Sequence, residues 1–376
     1  MKKNRTVPFF IILKRSKIKY LEIFLLSVIV LFTSVRTHAD EKKIFTNQEE
    51  KKEILVARDV TLEPPIWCGD SAFVVSSERS GLRWIDFVNK KEVKISSSGY
   101  VGAVDCTSDS EWLIYVDTRS SRWDKGNYER GIVDFWRYNL KTGKRQKFAV
   151  AEGGGKWSPD GKKFLFYGSK PRTYIEQPEP KWDLVWSRSG LSTERGFEAG
   201  WLSDSESIVI ISDNKVYIER YGRNEAAPAQ LLNPNINLGT IYKLKIDKRN
   251  KIYILARSKE KKNGKTIYGK TLLLRCQTIG MDLQCKDILK GSKSIRTYDI
   301  SLDGREVVFQ EEENNCTWHL KERKDDPQYV TSMAGPNLSI SPDAKWLTVV
   351  RPRKVEKVKG VDVYTNDLFV IKLIDE

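Results

Sequence analysis

Apolar and polar positions alternate in short blocks along most of the chain, and one block stands out. At residues 154–170 it reads GGKWSPDGKKFLFYGSK, an aromatic anchor at Trp157, a polar turn, then the apolar run Phe164, Leu165, Phe166 and Tyr167. Pro159 fixes φ at the first central position of a turn, Asp160 offers a carboxylate to nearby backbone N–H groups, and Gly161 tolerates positive φ. A short aromatic-rich run bounded by turn residues predicts a strand. Trp157 and Phe166 are therefore expected on neighbouring strands of a hairpin. One hairpin is marginal in water, so the block needs company.

It has company. SISPDAKWLTVVRPR surrounds Asp343, DISLDGREVVFQE surrounds Asp303, GWLSDSESIVIISD surrounds Asp204 and DCTSDSEWLIYVD surrounds Asp109. A weaker copy, IWCGDSAFVVSS, lies around Asp70, and the most degenerate, LKIDKRNKIYILARS, has Arg249 where the aspartate is expected. Anchors at 70, 109, 160, 204, 249, 303 and 343 are 39 to 54 residues apart. That period suits a four-stranded unit and is too long for leucine-rich or ankyrin repeats. Second hairpins follow in the same units, as in LRWIDFVNKKEVKI and DFWRYNLKTGKRQKFAV. The expectation is an all-β fold, a single β-propeller of seven four-stranded blades, with six or eight as the alternative count. The recurring aspartate reads as a turn-former, and Trp67, Trp157 and Trp201, at one repeat position, read as wedges between blades.

Trp157, Ser158, Pro159, Asp160 and Gly161, with an aromatic strand after them, and the T-G-K turn at residues 142–144 resemble the TolB-type, WD40-like β-propeller repeat. Ser341, Pro342 and Asp343 match it nearly as well, and Asp204 and Asp303 match in part. The resemblance runs over residues 66–374 and implies the fold and a general bias toward binding. Unlike TolB proteins, the chain is expected to lack a separate N-terminal α/β domain.

Residues 1–20 are rich in Lys and Arg, the apolar run Ile23–Val35 follows, and RTHAD then offers small residues at Thr37 and Ala39. This is the pattern of a signal peptide over residues 1–39. Its apolar core of 13 residues is shorter than the ~20 that span a bilayer as a helix, so cleavage after Ala39 is expected over a retained anchor. The mature chain is then exported, to the periplasm in a cell with two membranes. Residues 1–39 hold eight Lys or Arg and one acid, so their removal takes the formal charge from +15 to +8. An exported protein of this charge meets little nucleic acid; an envelope protein is the expected partner, with anionic glycan or lipid as the other option.

Residues 40–52 are polar and are expected to be a flexible segment. EILVARDVTL, from Glu53, is a strand without a partner in its own unit, while the last unit ends with its third strand after DLFVIKLIDE. The early strand is expected to supply the missing fourth one and remove an exposed edge. Residues 53–376 are then one domain.

The repeated turns are short, but several connections between second and third strands are long and project from one face. They read DTRSSRWDKGNYERG, GSKPRTYIEQPEPKWD, ARSKEKKNGKTIYGK and RPRKVEKVKGVDVYTND. Long loops on a rigid scaffold are where function concentrates. The expected binding face therefore comprises Arg119, Arg122, Trp123, Tyr128, Tyr174 and Trp182, with the basic clusters Lys259, Lys261, Lys262, Lys265 and Arg351, Arg353, Lys354, Lys357. Basic groups among aromatics suit an anionic or glycan-like surface.

Catalytic chemistry is thinly supplied. Only His38 and His319 occur; His38 leaves with the signal, and His319 in CTWHLKER reads as an ordinary strand residue. No G-x-S-x-G elbow is present, and no cluster of Cys and His has the spacing of a zinc site. No catalytic residue, metal or cofactor is assigned. Of five cysteines, two pairs are expected as disulfides. A two-residue turn at Gly280–Met281 pairs Ile279 with Asp282 and sets Cys276 opposite Cys285. Such a non-hydrogen-bonded pair has Cα atoms about 4.5 Å apart, inside the disulfide window. Cys68 and Cys106 flank the turns of the first two units and are expected to bridge blades, leaving Cys316.

These readings point to an exported, non-enzymatic propeller that serves as a protein-interaction scaffold in the cell envelope. The alternatives are a glycan-active lyase or hydrolase using channel carboxylates, and an anionic glycan- or lipid-binding module.

Overall fold

The repeated turn is locked by its own side chains. In the computed structural model, Ser158 Oγ donates to Asp160 Oδ1 at 2.6 Å, and the Lys162 N–H donates to the same oxygen at 3.1 Å. The Lys163 N–H donates to Ser158 Oγ at 3.0 Å. Ser301–Asp303 and Ser341–Asp343 repeat the hydroxyl–carboxylate bond at 2.7 and 2.6 Å, and Thr107–Asp109 at 2.5 Å. Gly161 sits at φ 68° and donates to the Ser158 carbonyl at 2.9 Å, the position at which a β-carbon is strained. The most degenerate copy keeps the acceptor and moves it. Where Arg249 replaces the aspartate, Asp247 accepts from the Arg249 and Lys251 N–H groups at 2.8 and 2.9 Å. Burial works against the charged form of Asp109, Asp160, Asp204 and Asp303, but these hydrogen bonds outweigh it and hold all four below the ordinary carboxylate range.

The structure describes residues 53–77, 80–97, 101–117, 132–152, 154–166, 172–173, 181–186, 198–221, 229–289, 293–313, 315–322, 326–332, 335, 337–358 and 361–373. Strand β1 (Glu53–Val60) precedes a first group of β2 (Ile66–Trp67), β3 (Ala72–Ser77), β4 (Gly81–Asp86) and β5 (Lys91–Ser96). The second group is β6 (Val101–Cys106), β7 (Trp112–Asp117), β8 (Ile132–Asn139) and β9 (Arg145–Glu152). The third is β10 (Gly155–Trp157), β11 (Lys163–Phe166), β12 (Arg172–Thr173) and β13 (Asp183–Trp186). The fourth is β14 (Glu198–Trp201), β15 (Ser207–Ser212), β16 (Lys215–Arg220) and β17 (Gln230–Pro234). The fifth is β18 (Leu238–Ile246), β19 (Ile252–Lys262), β20 (Lys265–Ile279) and β21 (Asp282–Asp287). The sixth is β22 (Ile295–Ile300), β23 (Glu306–Glu311), β24 (Thr317–Lys321) and β25 (Gln328–Thr331). The chain ends with β26 (Leu338–Ile340), β27 (Trp346–Val358) and β28 (Val361–Lys372).

Most groups are antiparallel meanders in sequence order, as in β2-β3-β4-β5 and β22-β23-β24-β25. The third departs from the expected four antiparallel strands. β12 leaves it to pair with β9 of the group before, so the chain re-enters beside β11 in the same direction, and β13 pairs with β11 in parallel. The fourth and fifth groups share one sheet through a parallel contact of β17 with β21.

Hydrophobic burial is organised between groups. Phe135, Phe148, Phe164, Phe166, Trp112 and Trp157 form an aromatic core between the second and third, and Leu202, Val209, Ile252 and Ile254 lie in the core between the fourth and fifth. Ala57, Val60, Phe73, Val75, Val350 and Leu368 pack the last group on the first. β1 pairs antiparallel with β28, Glu53 opposite Ile371, and completes the sheet β1-β28-β27-β26. A chain whose last sheet includes its first strand, and whose end packs on its beginning, is a closed ring, and removes an exposed edge.

Both expected disulfides are formed. Cys276 pairs with Cys285 in register across β20 and β21, Cα atoms 4.0 Å apart, with Gly280 at φ 61° in the turn. Cys68 and Cys106 join the first two groups, Cα atoms 5.4 Å apart. Cys316 is buried and outside both. Among the described residues no helix is long and apolar enough to cross a membrane.

Candidate functional site

The first strands of successive groups pack on one another: β2 on β6, β6 on β10, β10 on β14, β14 on β18, and β22 on β26. They therefore surround the centre of the ring. Side chains two residues before the start of each turn, and those four before, share one face of a strand. At the first position stand Asp105, Lys156, Lys245 and Asp299; at the second, Glu198 and Lys243. These six make a charged lining that the sequence alone did not single out, although the signal was present as charged residues inside apolar strands, two or four residues before a turn.

The acids clasp neighbouring strands. Asp105 Oδ2 accepts the Trp157 N–H at 2.9 Å, and Asp299 Oδ2 accepts the Ile340 N–H at 2.9 Å. Glu198 accepts the Leu244 N–H in the same way. Each bond ties the first strand of one group to that of the next, and a hydrogen bond to a charged acceptor contributes roughly 1.5–3 kcal/mol. Lys245 forms an ion pair with Asp299, and Lys243 Nζ donates to the Tyr298 carbonyl at 2.7 Å. Trp201 Nε1 donates to the Lys156 carbonyl at 3.1 Å, which makes this tryptophan an inter-group wedge.

Charge balance inside the ring is uneven. Burial pushes the Asp105 carboxyl up to about 6, and raises Glu198 as well. Burial and the neighbouring Lys245 lower Lys243 to about 8 and lower Lys156. Asp299 is buried too, but Lys245 and Lys243 outweigh that and hold it below the ordinary carboxylate range. Among the described residues no group of three His, Cys, Asp or Glu side chains is placed to hold a metal ion. His319 is fully buried on β24, 2.5 Å from Glu306 Oε2.

At the opposite end of the strands from the repeated turns lie the long connections. Arg119, Arg122, Trp123, Tyr128 and Tyr174 lie outside the described residues. The segment expected as a loop around Lys259–Lys265 is a continuous two-stranded ribbon, the far ends of β19 and β20, with Lys261 opposite Thr266 and Lys262 opposite Lys265. Lys261, Lys262 and Lys265 are exposed, Lys259 is half-buried, and beside them Ile267 and Tyr268 are 47% and 53% exposed.

Trp182 corrects its assignment to the binding face. It is buried, edge-on to Trp157 with ring centroids 4.6 Å apart and to Trp112 at 5.7 Å, and the Arg137 guanidinium lies 4.7 Å from its ring. It begins the return into the third group, and its ring fills the core that β13 closes. Arg351 and Arg353 are likewise engaged inside the closing sheet. Arg351 bonds Glu53 and Thr331 and reaches the Ser332 carbonyl at 3.1 Å. Arg353 meets Asp367 at 3.0 Å and Asp59 at 3.3 Å. Lys354 and Lys357 follow on β27, opposite Tyr364 and Asp362.

No family model matches the chain, and no curated protein is similar to it in sequence. Solved structures are similar in shape. Hydrazine synthase of Kuenenia stuttgartiensis aligns at a TM-score of 0.50 and 11% identity, over 82% of this chain and 96% of that one. A chain of a mitotic checkpoint complex aligns at 0.50 and 12%, over 88% and 93%. At such identities the likeness shows the fold, and the fold is a β-propeller.

Proposed function

We propose that the chain is an exported, non-enzymatic propeller, seven-bladed and of the TolB-like type, that holds a protein of the cell envelope on the face from which the β19–β20 ribbon projects. The observation that carries this reading is the ribbon itself. From Glu260 to Lys270 every residue is exposed, and a two-stranded hairpin with neither face covered is marginal. It displays Lys261, Lys262 and Lys265 beside the apolar groups of Ile267 and Tyr268, a combination that suits an acidic protein surface with an apolar centre. Export is supported by the two disulfides, which persist in oxidising compartments, and by the signal-like residues 1–39.

The glycan-active alternative draws on Asp105, whose carboxyl near 6 suits a general acid. Against it, Oδ2 accepts the Trp157 N–H and Oδ1 accepts the Cys106 N–H at 3.0 Å, so the group is held as a structural acceptor.

The test is photocrosslinking in the envelope with a reactive residue at Tyr268, compared with one at Lys162 in a repeated turn on the other face. A discrete protein adduct from position 268, absent at 162, is expected. Equal capture at both positions, or none at 268, contradicts the reading.

A further inference from the structure

We propose that the centre of the ring binds a small oxyanion, of phosphate or carboxylate chemistry, between Lys156 on β10 and Lys243 and Lys245 on β18.

The bonds inside the lining leave a positive group unmatched. Asp299 is fully used: Oδ2 accepts the Ile340 N–H, while Oδ1 accepts the Ile300 N–H at 2.8 Å and pairs with Lys245. Both oxygens of Asp105 accept backbone N–H groups, and Glu198 accepts one. Lys243 has a carbonyl as its hydrogen-bond acceptor rather than a carboxylate. The Lys156 ammonium has no ion pair or hydrogen bond among the described residues, although it stands close enough to Lys245, Glu198, Asp105 and Asp299 to feel their charges.

A lining that served only to seal the centre would pair its cations directly, because an ammonium taken from water without a partner is costly. Here the acids are turned toward backbone amides and one ammonium is left over, half-buried. The nearby carboxylates are a smaller obstacle to an anion than their number implies. Asp299 is neutralised by Lys245, and Asp105 and Glu198 direct their carboxyl oxygens at backbone N–H groups. Burial and mutual repulsion depress Lys156 and Lys243, and a bound anion relieves both. The lining offers no cation site of the usual kind, since the acids do not gather into a group able to hold a metal ion among the described residues.

Calorimetry of the full mature chain with inorganic phosphate and, separately, with succinate tests this and distinguishes the two chemistries. Saturable binding of at least one anion is expected. Lys156→Met is expected to weaken it about tenfold or more, while Lys261→Met on the ribbon leaves it unchanged. A fold-independent readout uses the wild-type protein with its lysines 13C-methylated: the Lys156 and Lys243 resonances move on titration and that of Lys261 does not. No saturable binding of either anion, or binding that survives Lys156→Met in a folded protein, or movement confined to surface lysines, overturns the proposal. The partner reading of the ribbon stands or falls separately.

Discussion

The two long hairpins of the fold, β19–β20 and β27–β28, look alike as sequence. Each carries a basic run, with Glu260 the one acid of residues 256–270 and Glu356 the one acid of residues 351–360, and each joins the second and third strands of its group. In the fold they part. The β19–β20 ribbon carries its lysines into solvent. The β27–β28 hairpin uses Arg351 and Arg353 to hold β1, through Glu53 and Asp59. Arg351 and Glu53 are 298 residues apart. A run of like charge therefore announces a surface only when no other segment answers it, and two of the answering acids, Glu53 and Asp59, belong to the strand that closes the ring.

The largest expected effect lies on the closing side. Deleting residues 53–60 removes the pairing partner of β28, Ala57 and Val60 from the core, and both arginine partners. The melting temperature should fall on the order of 10 °C, in a single transition for the whole ring. A truncated chain that melts with the otherwise identical protein that keeps residues 53–60 would show that closure does not depend on β1.

Trp182 extends the contrast to aromatic residues. Trp182→Ala should cost about 3–5 kcal/mol in denaturant unfolding, as expected for a large side chain removed from a packed core. A loss below about 0.5 kcal/mol, usual for surface positions, would return this residue to the binding face.

A smaller, pH-dependent effect separates the centre from the turns. Asp105 holds its proton to about pH 6 in the folded chain, against an ordinary 3.8, so the stability it confers is full below 3.8 and is lost as pH rises through 6. Relative to Asp105→Asn, the wild type should lose about 1 kcal/mol or more across that window. The turn aspartates run the other way: with their lowered values, their stabilisation is present above 3.8 and lost as pH falls further. A wild-type–variant difference that is flat from pH 4 to pH 6 would place Asp105 in water.

What the sequence made legible was local. Pro159, Asp160 and Gly161 announce their turn within four residues, and the Gly280–Met281 turn sets the register of Cys276 and Cys285 by counting. The edge strand from Glu53 was legible because the last unit lacked a strand. What escaped needed distance. Trp182 follows a proline-rich stretch that reads as an exposed loop, and only the parallel return beside β11 turns it inward. Glu53 and Asp59, which Arg351 and Arg353 meet, lie at the other end of the chain. The charged lining was written at one repeat position, but Asp105, Lys156, Lys245 and Asp299 acquire meaning together only once the first strands stand side by side.

The central claim, that one hairpin binds and the other closes, is tested most directly by charge reversal in each. Lys261, Lys262 and Lys265 are changed together to Glu in one protein and Arg351 to Glu in another, and melting temperature and envelope-partner recovery over a salt series are measured for both. The account predicts that the ribbon variant melts within about 2 °C of wild type but loses recovery and its salt dependence. The Arg351 variant melts several degrees lower and, while folded, recovers the partner. A ribbon variant with unchanged recovery at every salt concentration, or an Arg351 variant that loses the partner without losing stability, contradicts it.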